Sequence, residues 1–207
     1  NDFDGNGKKE QVLTYYVGGK ELPFASKAEL EKQMPVLKKK FLYAEDLAKA
    51  SLQDMLGETE LEKATVLRAD YFASALLLNN GKGGFDTREL PREAQFSMLK
   101  AAVVLNANGD ALPDILLMGN YYDSNIEMGH YDADFGTLLL NKGGGRFASS
   151  PLNGLAVKGQ VRHILPVAFG KQQALLLAKN NDTAKLIRFL PPELQGSGEK
   201  RIARAVR

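Results

Sequence analysis

Two motifs each occur twice in this chain, and an internal repeat constrains a fold more than any other sequence feature. Residues 76–85 read LLLNNGKGGF, and residues 138–147 read LLLNKGGGRF. Residues 2–10 read DFDGNGKKE, and residues 106–114 read NANGDALPD. We call these last two segments loop A and loop B. The chain therefore contains two copies of a unit in which an Asp/Asn-rich loop precedes a strand–turn–strand segment.

The two copies differ in length, which indicates an insertion in the first one. Loops A and B lie farther apart than the two LLLN segments do, so the extra residues fall between loop A and the first LLLN segment. There the sequence becomes helical in character: Ser26 and Glu29 fit a capping box, and apolar residues then recur at helical spacing. We predict a helical insertion at residues 24–64, kinked or split at Pro35.

Two further helical features are expected inside the insertion. Residues 46–56 are predicted to form a second helix, which Gly57 would end. Thr59 and Glu62 suggest another capping box.

Short apolar runs separated by Gly, Asn and Asp predict strands in the rest of the chain. One unit holds four of them, the content of a propeller blade, at residues 101–105, 115–118, 137–140 and 146–148. The predicted fold is mostly β with a helical insertion, a partial β-propeller of four-stranded antiparallel blades in residues 1–195. The expected blade pieces are residues 1–23 plus 65–92, 97–152 and 158–195. Residues 196–207 are expected to form an edge strand or a tail.

Loop A has the side chains of a calcium site. Oxygen ligands recur at alternate positions, and Ca²⁺ prefers six to eight oxygens. Glycines between them permit tight left-handed turns. The expected ligands are the side chains of Asp2, Asp4, Asn6 and Glu10 and the carbonyl of Lys8. The other interpretation is an Asx-rich turn that binds only its own backbone.

Loop B is a poorer version of the same pattern. Its equivalent residues are Asn106, Asn108, Asp110 and Asp114, with the carbonyl of Leu112. Two carboxylates remain instead of three, and Ala111 replaces a glycine, so Ca²⁺ is expected less here than in loop A.

A third segment is rich in Tyr, Asn and carboxylates, and it joins two predicted strands by a long loop. Long loops in compact domains are often functional. Its candidate ligand-binding residues are Tyr121, Tyr122, Asp123, Asn125, Glu127, His130, Tyr131 and Asp132. A sugar or a peptide would suit these side chains, although tyrosines that only pack against a neighbouring strand would give the same pattern.

Composition excludes several classes of function. The chain has 207 residues and no Cys, which removes disulfides, thiolate metal sites and cysteine nucleophiles. A formal net charge of +2 is low for a nucleic-acid-binding domain. No apolar run approaches the ~20 residues that span a bilayer. Because the first residues already belong to a motif, we interpret the chain as a fragment of a longer protein.

Loop A and the strand after it resemble the VCBS/FG-GAP repeat, whose D-x-D-x-[DN]-G-x-x-[DE] loops bind Ca²⁺ between propeller strands. The two LLLN segments resemble the strand–turn–strand of that family, and residues 1–190 resemble large bacterial VCBS-repeat proteins of the CRTAC/ASPIC-UnbV type. The resemblance implies the same side-chain ligands in loops A and B. Glu10 and Asn106 depart from the usual Asp at their positions.

The resemblance also implies a β-propeller exported to the periplasm or outer cell surface of a Gram-negative bacterium. We expect a non-catalytic module that binds a protein or carbohydrate ligand, or that assembles with the remaining blades of its parent. One alternative is a carbohydrate-active enzyme that uses Asp123, Glu127, Asp132 and Asp134 as acids and bases. Another is an adhesion module whose helical insertion docks a partner protein.

Overall fold

The computed structural model describes residues 1–152, 154–169, 172–189 and 203–206. The chain divides into two compact units, Asn1–Asp70 and Tyr71–Arg207. The mostly β fold with a helical insertion is confirmed. None of the described helices is long and apolar enough to cross a membrane.

The first unit contains one β-hairpin and five short helices. Strands β1 (Thr14–Val17) and β2 (Lys20–Pro23) pair antiparallel. The helices are α1 (Lys27–Gln33), α2 (Val36–Lys40), α3 (Ala44–Lys49), α4 (Leu52–Leu56) and α5 (Glu58–Glu62). Their apolar faces enclose a core whose most buried members are Leu30, Met34 and Leu37.

Pro35 splits the insertion, as predicted. Helix α1 ends before it and α2 begins directly after it, because proline has no N–H for the helical hydrogen-bond ladder. At the start of α1, the Glu29 carboxylate accepts the backbone N–H of Ser26 at 2.8 Å, which is the reach-back bond of the expected capping box.

Two details of the predicted insertion are wrong. Residues 46–56 form two helices, because Ser51 caps a new one: its hydroxyl accepts the N–H of Asp54 at 3.0 Å. The Asp54 carboxylate in turn accepts the N–H of Ser51 at 2.9 Å. The capping box at Thr59 does not form, because α5 already begins at Glu58, directly after Gly57 with φ +84°.

In its described residues, the second unit contains two four-stranded antiparallel sheets and one hairpin, and each sheet follows chain order. Its strands are β3 (Ala75–Asn79), β4 (Phe85–Glu89), β5 (Leu99–Leu105), β6 (Asp114–Gly119), β7 (Thr137–Asn141), β8 (Phe147–Ser150), β9 (Val161–Phe169), β10 (Gln172–Lys179), β11 (Lys185–Phe189) and β12 (Ala203–Val206). The hairpin is β3–β4, and the sheets are β5–β8 and β9–β12.

The central strands β6 and β7 of the sheet β5–β8 are buried on both faces, in agreement with their continuous apolar runs. Leu116 and Leu138 face the main core, to which strands β9, β10 and β11 contribute from the other side. Leu117 and Leu139 face a second, smaller cluster. Fully burying one such side chain contributes about 2 kcal/mol, so these two central strands hold the unit together.

The two LLLN segments form the same turn. In the β3–β4 hairpin, Gly81 donates its N–H to Asn79 Oδ1 at 2.8 Å. In the β7–β8 hairpin, Gly143 donates to Asn141 Oδ1 at 2.9 Å. The asparagines that end β3 and β7 therefore each start an Asx turn.

A propeller is not demonstrated by the described sheets, which do not close into a ring. In the described chain, β1–β2 and β3–β4 are separate two-stranded sheets, and the blade expected from residues 1–23 plus 65–92 stays a prediction. Residues 203–206 pair with β11 as an edge strand. Of the blade piece expected at residues 158–195, residues 190–195 lie outside the described residues, as do 196–202 and 207 of the expected edge strand or tail.

Candidate functional site

Loop A brings three carboxylates together. One oxygen from each of Asp2, Asp4 and Glu10 lies within 4.8 Å of the others, and no other group of three His, Cys, Asp or Glu side chains does so among the described residues. Asp2 and Asp4 are half-buried and Glu10 is buried. Two like charges about 4 Å apart repel by about 1 kcal/mol in bulk water and by more where burial lowers the dielectric. A bound cation would therefore remove an unfavourable interaction.

The side chain of Asp2 shapes the turn of loop A. Its Oδ1 accepts the N–H of Gly5 at 2.8 Å, and its Oδ2 accepts the N–H of Gly7 at 2.8 Å. Gly5 has φ +73° and Gly7 has φ +84°, conformations that glycine adopts without strain. The alternation of ligands and glycines seen in the sequence is thus the local geometry of the loop.

The remaining expected ligands leave oxygen atoms available. Asp4 Oδ1 accepts the N–H of Asn6 at 3.2 Å, and Asn6 Oδ1 accepts the N–H of Lys8 at 2.8 Å. Asp4 Oδ2 and Glu10 Oε1 accept no hydrogen bond from the part of the chain that the structure describes. These atoms are hard oxygens of the kind that Ca²⁺ binds.

Loop A is anchored to the helical core of its unit. Glu10 Oε2 accepts the N–H of Phe3 at 2.8 Å, and the Phe3 ring packs against that core. Asn1 Nδ2 donates to the backbone carbonyl of Glu60 in α5 at 2.8 Å and to its carboxylate at 3.1 Å. The Lys63 ammonium and the Asn1 amide hold the pKa of the Glu60 carboxyl below its usual range.

Loop B repeats four hydrogen bonds of loop A at equivalent positions. In both loops a side-chain oxygen near the start of the turn accepts a backbone N–H two or three residues later, and the last acidic residue accepts the N–H of the second loop residue. The loop B distances lie between 2.7 and 3.0 Å. The donor–acceptor pairs are Gly109 to Asn106, Asp110 to Asn108, Leu112 to Asp110 and Ala107 to Asp114.

Asp114 joins loop B to the sheet. It is fully buried, and its Oδ2 accepts the N–H of Ala107 at 2.9 Å while its Oδ1 accepts the N–H of Asn141 at 2.9 Å. Asn141 returns a bond from Nδ2 to the carbonyl of Pro113 at 3.0 Å. Both carboxylate oxygens of this expected metal ligand therefore bind the backbone of β7 or of the loop itself.

A buried asparagine fixes the base of the tyrosine-rich loop, which we define as residues 120–136. Asn120 adopts φ 78° and is fully buried. Its Oδ1 accepts the N–H of Asp134 at 3.0 Å, and its Nδ2 donates to the carbonyls of Asp134 at 2.7 Å and Gly159 at 3.1 Å. Sequence reasoning missed this role, although an Asn directly after an apolar strand is a residue that tolerates the left-handed region.

Asp134 adds three further hydrogen bonds where the tyrosine-rich loop meets the sheet. Its Oδ2 accepts the N–H of Gly119 at 2.8 Å, and its Oδ1 accepts the N–H of Gly136 at 3.1 Å and the hydroxyl of Thr137 at 3.2 Å. Burial raises the pKa of its carboxyl, against the lowering effect of these hydrogen bonds. Asp134 is thus a structural residue that closes the loop.

The expected ligand-binding surface is centred on Tyr121. Tyr121 and Tyr131 form an antiparallel bridge, each donating its N–H to the carbonyl of the other at 2.9 Å. The Lys100 ammonium lies 5.2 Å from the centroid of the Tyr121 ring, and the Arg162 guanidinium lies 5.9 Å from it. These contacts are cation–π interactions.

Next to Tyr121 and Tyr131 in the chain, the rings of Tyr122 and His130 stack on each other. Their ring centroids are 4.5 Å apart and the rings are inclined by 12°. The N–H of Tyr122 donates to Gln160 Oε1 at 3.1 Å, and Gln160 is itself buried. The structure therefore brings four of the eight candidate residues together as two pairs: Tyr121 and Tyr131 by backbone hydrogen bonds, and Tyr122 and His130 by ring stacking.

The polar candidates of this loop are dispersed. Asp123 Oδ2 pairs with Arg162 Nη2 at 3.1 Å, and Asp132 is exposed. The carbonyl of Asn125 accepts the N–H of Met128, and the side chain of Glu127 lies outside the described part of the structure. Asp134 is bound by backbone N–H groups near it. Among the described side chains of this loop, the candidate carboxylates are therefore not brought together as an acid–base pair. The enzyme alternative stays a prediction.

Comparison of the chain with protein-family models, curated proteins and solved structures finds no match.

Proposed function

We propose that this chain is a non-catalytic binding or scaffold module of the VCBS/FG-GAP type, stabilised by Ca²⁺ in loop A. The observation that carries the proposal is the group of carboxylates from Asp2, Asp4 and Glu10, whose oxygens lie within 4.8 Å of one another. Side chains held this close in a glycine-containing turn provide the hard, anionic ligands that Ca²⁺ requires. Asn6 and the carbonyl of Lys8 would complete the set.

The sheet arrangement supports a partial propeller. Sheets β5–β8 and β9–β12 are both four-stranded antiparallel meanders, as propeller blades are. They pack face to face, and their first strands, β5 and β9, contact each other. Adjacent blades of a propeller meet in this way near the central axis.

The proposed binding surface is the tyrosine-rich loop. Its base is fixed by the buried Asn120 and Asp134, and it presents Tyr121, Tyr122 and His130 beside two cationic side chains. Aromatic faces with polar groups around them suit a protein or carbohydrate ligand. An exported protein of a Gram-negative bacterium, whose remaining blades adjoin this chain, is the setting that the VCBS resemblance supports.

Calcium-dependent thermal unfolding tests the metal proposal. Ca²⁺ that binds only the folded state at one hundred times its Kd stabilises that state by about 2.7 kcal/mol. We expect a rise in Tm of several degrees in Ca²⁺ relative to EGTA. Asp4→Asn should abolish this rise, because the amide keeps the acceptor for the N–H of Asn6 but removes the anionic ligand.

The same substitution separates a metal site from a plain turn. In EGTA, the Asp4→Asn variant should have the Tm of the wild-type protein or a higher one, because the substitution removes charge repulsion within loop A. Asn108→Ala, at the equivalent position of loop B, is the matched control and should leave the calcium-induced rise intact. An unchanged Tm of the folded wild-type protein in Ca²⁺ would reject the metal proposal and leave loop A as an Asx turn.

A further inference from the structure

Loops A and B differ in the direction of one peptide unit. In loop A, the N–H of Gly7 points at the first ligand residue and donates to Asp2 Oδ2 at 2.8 Å. The equivalent peptide of loop B joins Asp110 to Ala111. There the carbonyl of Asp110 points at the first loop residue and accepts a hydrogen bond from Asn106 Nδ2. The peptide unit is therefore reversed between the two loops, and a donor side chain replaces an acceptor.

Residue type explains the reversal. Gly7 has φ +84°, which a residue with a Cβ rarely adopts. Ala111 stands at that position in loop B, and it is not among the described residues with positive φ. With the carbonyl turned inward, a carboxylate at position 106 would face another acceptor, whereas the amide of Asn106 donates to it.

A second amide in loop B also donates where loop A has a carboxylate. Asn108 Nδ2 donates to Asp110 Oδ2 at 2.7 Å, and the equivalent residue of loop A is Asp4. Asp110 Oδ1 accepts the N–H of Leu112 at 2.7 Å. The Leu112 N–H and the Asn108 amide hold the pKa of the Asp110 carboxyl below its usual range. Both carboxylate oxygens and the carbonyl of Asp110 are thus occupied within the protein.

We infer that loop B is a cation-independent counterpart of loop A, in which the side-chain amides of Asn106 and Asn108 donate hydrogen bonds in place of a cation. The comparison with a calcium-binding loop A rests on the proposed function, but the internal hydrogen bonds of loop B do not. Asn106 and Asn108 then determine which of the two loops takes Ca²⁺, and Asp110 is the internal anion that they satisfy.

A double-mutant cycle in EGTA tests the hydrogen-bond assignment without any metal. Asn106→Asp should lower Tm by about 4 °C or more, because it places a carboxylate against the Asp110 carbonyl. Ala111→Gly should recover at least half of that loss in the double variant, because glycine lets the peptide turn its N–H inward as in loop A. An Asn106→Asp variant as stable as wild type, or no recovery by Ala111→Gly, would overturn the inference.

Calcium titration by calorimetry tests the selectivity. The wild-type protein should bind one Ca²⁺, lost in Asp4→Asn and retained in Asp110→Asn. The triple variant Asn106→Asp/Asn108→Asp/Ala111→Gly should bind one more equivalent than wild type. Two equivalents in wild type with one lost in Asp110→Asn, or no gain in the triple variant, would overturn the inference. No binding by wild type would instead reject the proposed function, and the cycle in EGTA would still decide the nature of loop B.

Discussion

Asp134 shows how a residue that looks catalytic in the sequence can be structural. It lies in a polar loop beside other carboxylates, which made it a candidate acid or base. In the structure it accepts hydrogen bonds from Gly119, Gly136 and Thr137 and is 5% exposed. The three donors lie at the end of β6, at the end of the tyrosine-rich loop and in β7, so the carboxylate holds the loop closed.

Replacing Asp134 with Asn should destabilise the protein by about 1–3 kcal/mol, because one amide NH₂ group would face buried donors and leave them unsatisfied. Asp132→Asn is the matched control, since that side chain is exposed, and it should change stability by less than about 0.5 kcal/mol. Urea unfolding followed by circular dichroism measures both. Equal stabilities of the two variants would contradict the structural role of Asp134.

The effect of this substitution should also depend on pH. Burial raises the pKa of Asp134 above its ordinary 3.8, so the folded state binds this proton more readily than the unfolded chain does. Ionisation of Asp134 therefore costs part of the stability that its hydrogen bonds provide, and this part is regained as the pH falls through the raised pKa. The stability gap between wild type and Asp134→Asn should widen from neutral pH toward pH 3.8. A stability difference that narrows over this pH range would contradict a raised pKa for Asp134.

At the scale of elements, the helical insertion forms a capping box at Ser51 that the sequence analysis did not predict, and it does not form the one expected at Thr59. Ser51 caps α4 with a reciprocal pair of bonds to Asp54, whereas Thr59 lies within α5. Gly57 accounts for the difference, because its positive φ ends α4 and lets α5 begin one residue later. Sequence patterns can thus propose caps, but the choice between them depends on where the preceding helix stops.

Ser51→Ala should lower stability by about 1 kcal/mol, because the N–H of Asp54 loses its acceptor at the start of α4. Thr59→Ala, at the capping sequence that the structure does not use, should change stability by less than about 0.5 kcal/mol. Urea unfolding curves of the two variants provide the comparison. A larger loss for Thr59→Ala would contradict this assignment and make Thr59 the capping residue of α5.

For the whole molecule, identical sequence positions in the two LLLN segments have opposite environments. Leu139 is fully buried between β6 and β8, and its counterpart Leu77 is 59% exposed on the β3–β4 hairpin. The repeat makes these residues equivalent in sequence, because each is the second of three consecutive leucines. Burial differs because β7 has a strand on both sides, whereas β3 pairs only with β4 in the described sheets.

Leu139→Ala should therefore cost about 2–5 kcal/mol, the usual range for a cavity in a packed core. Leu77→Ala, the same change at the equivalent position, should cost less than about 1 kcal/mol. Thermal unfolding monitored by calorimetry measures both. If the two substitutions were equally damaging, Leu77 would be buried in solution by a surface that it does not contact in the described structure.

The amino-acid sequence by itself determined the local features of this protein: the split at Pro35, the Asx turns after each LLL run, and the grouping of Asp2, Asp4 and Glu10. These depend on neighbours within a few residues, whose hydrogen bonds and allowed φ values are set by residue type. Only the tertiary structure decided that Asp114 binds Asn141, that Asn120 reaches Gly159, and that Leu139 is buried while Leu77 is not. Those outcomes depend on which distant strands pack together, and that is a property of the whole folded chain.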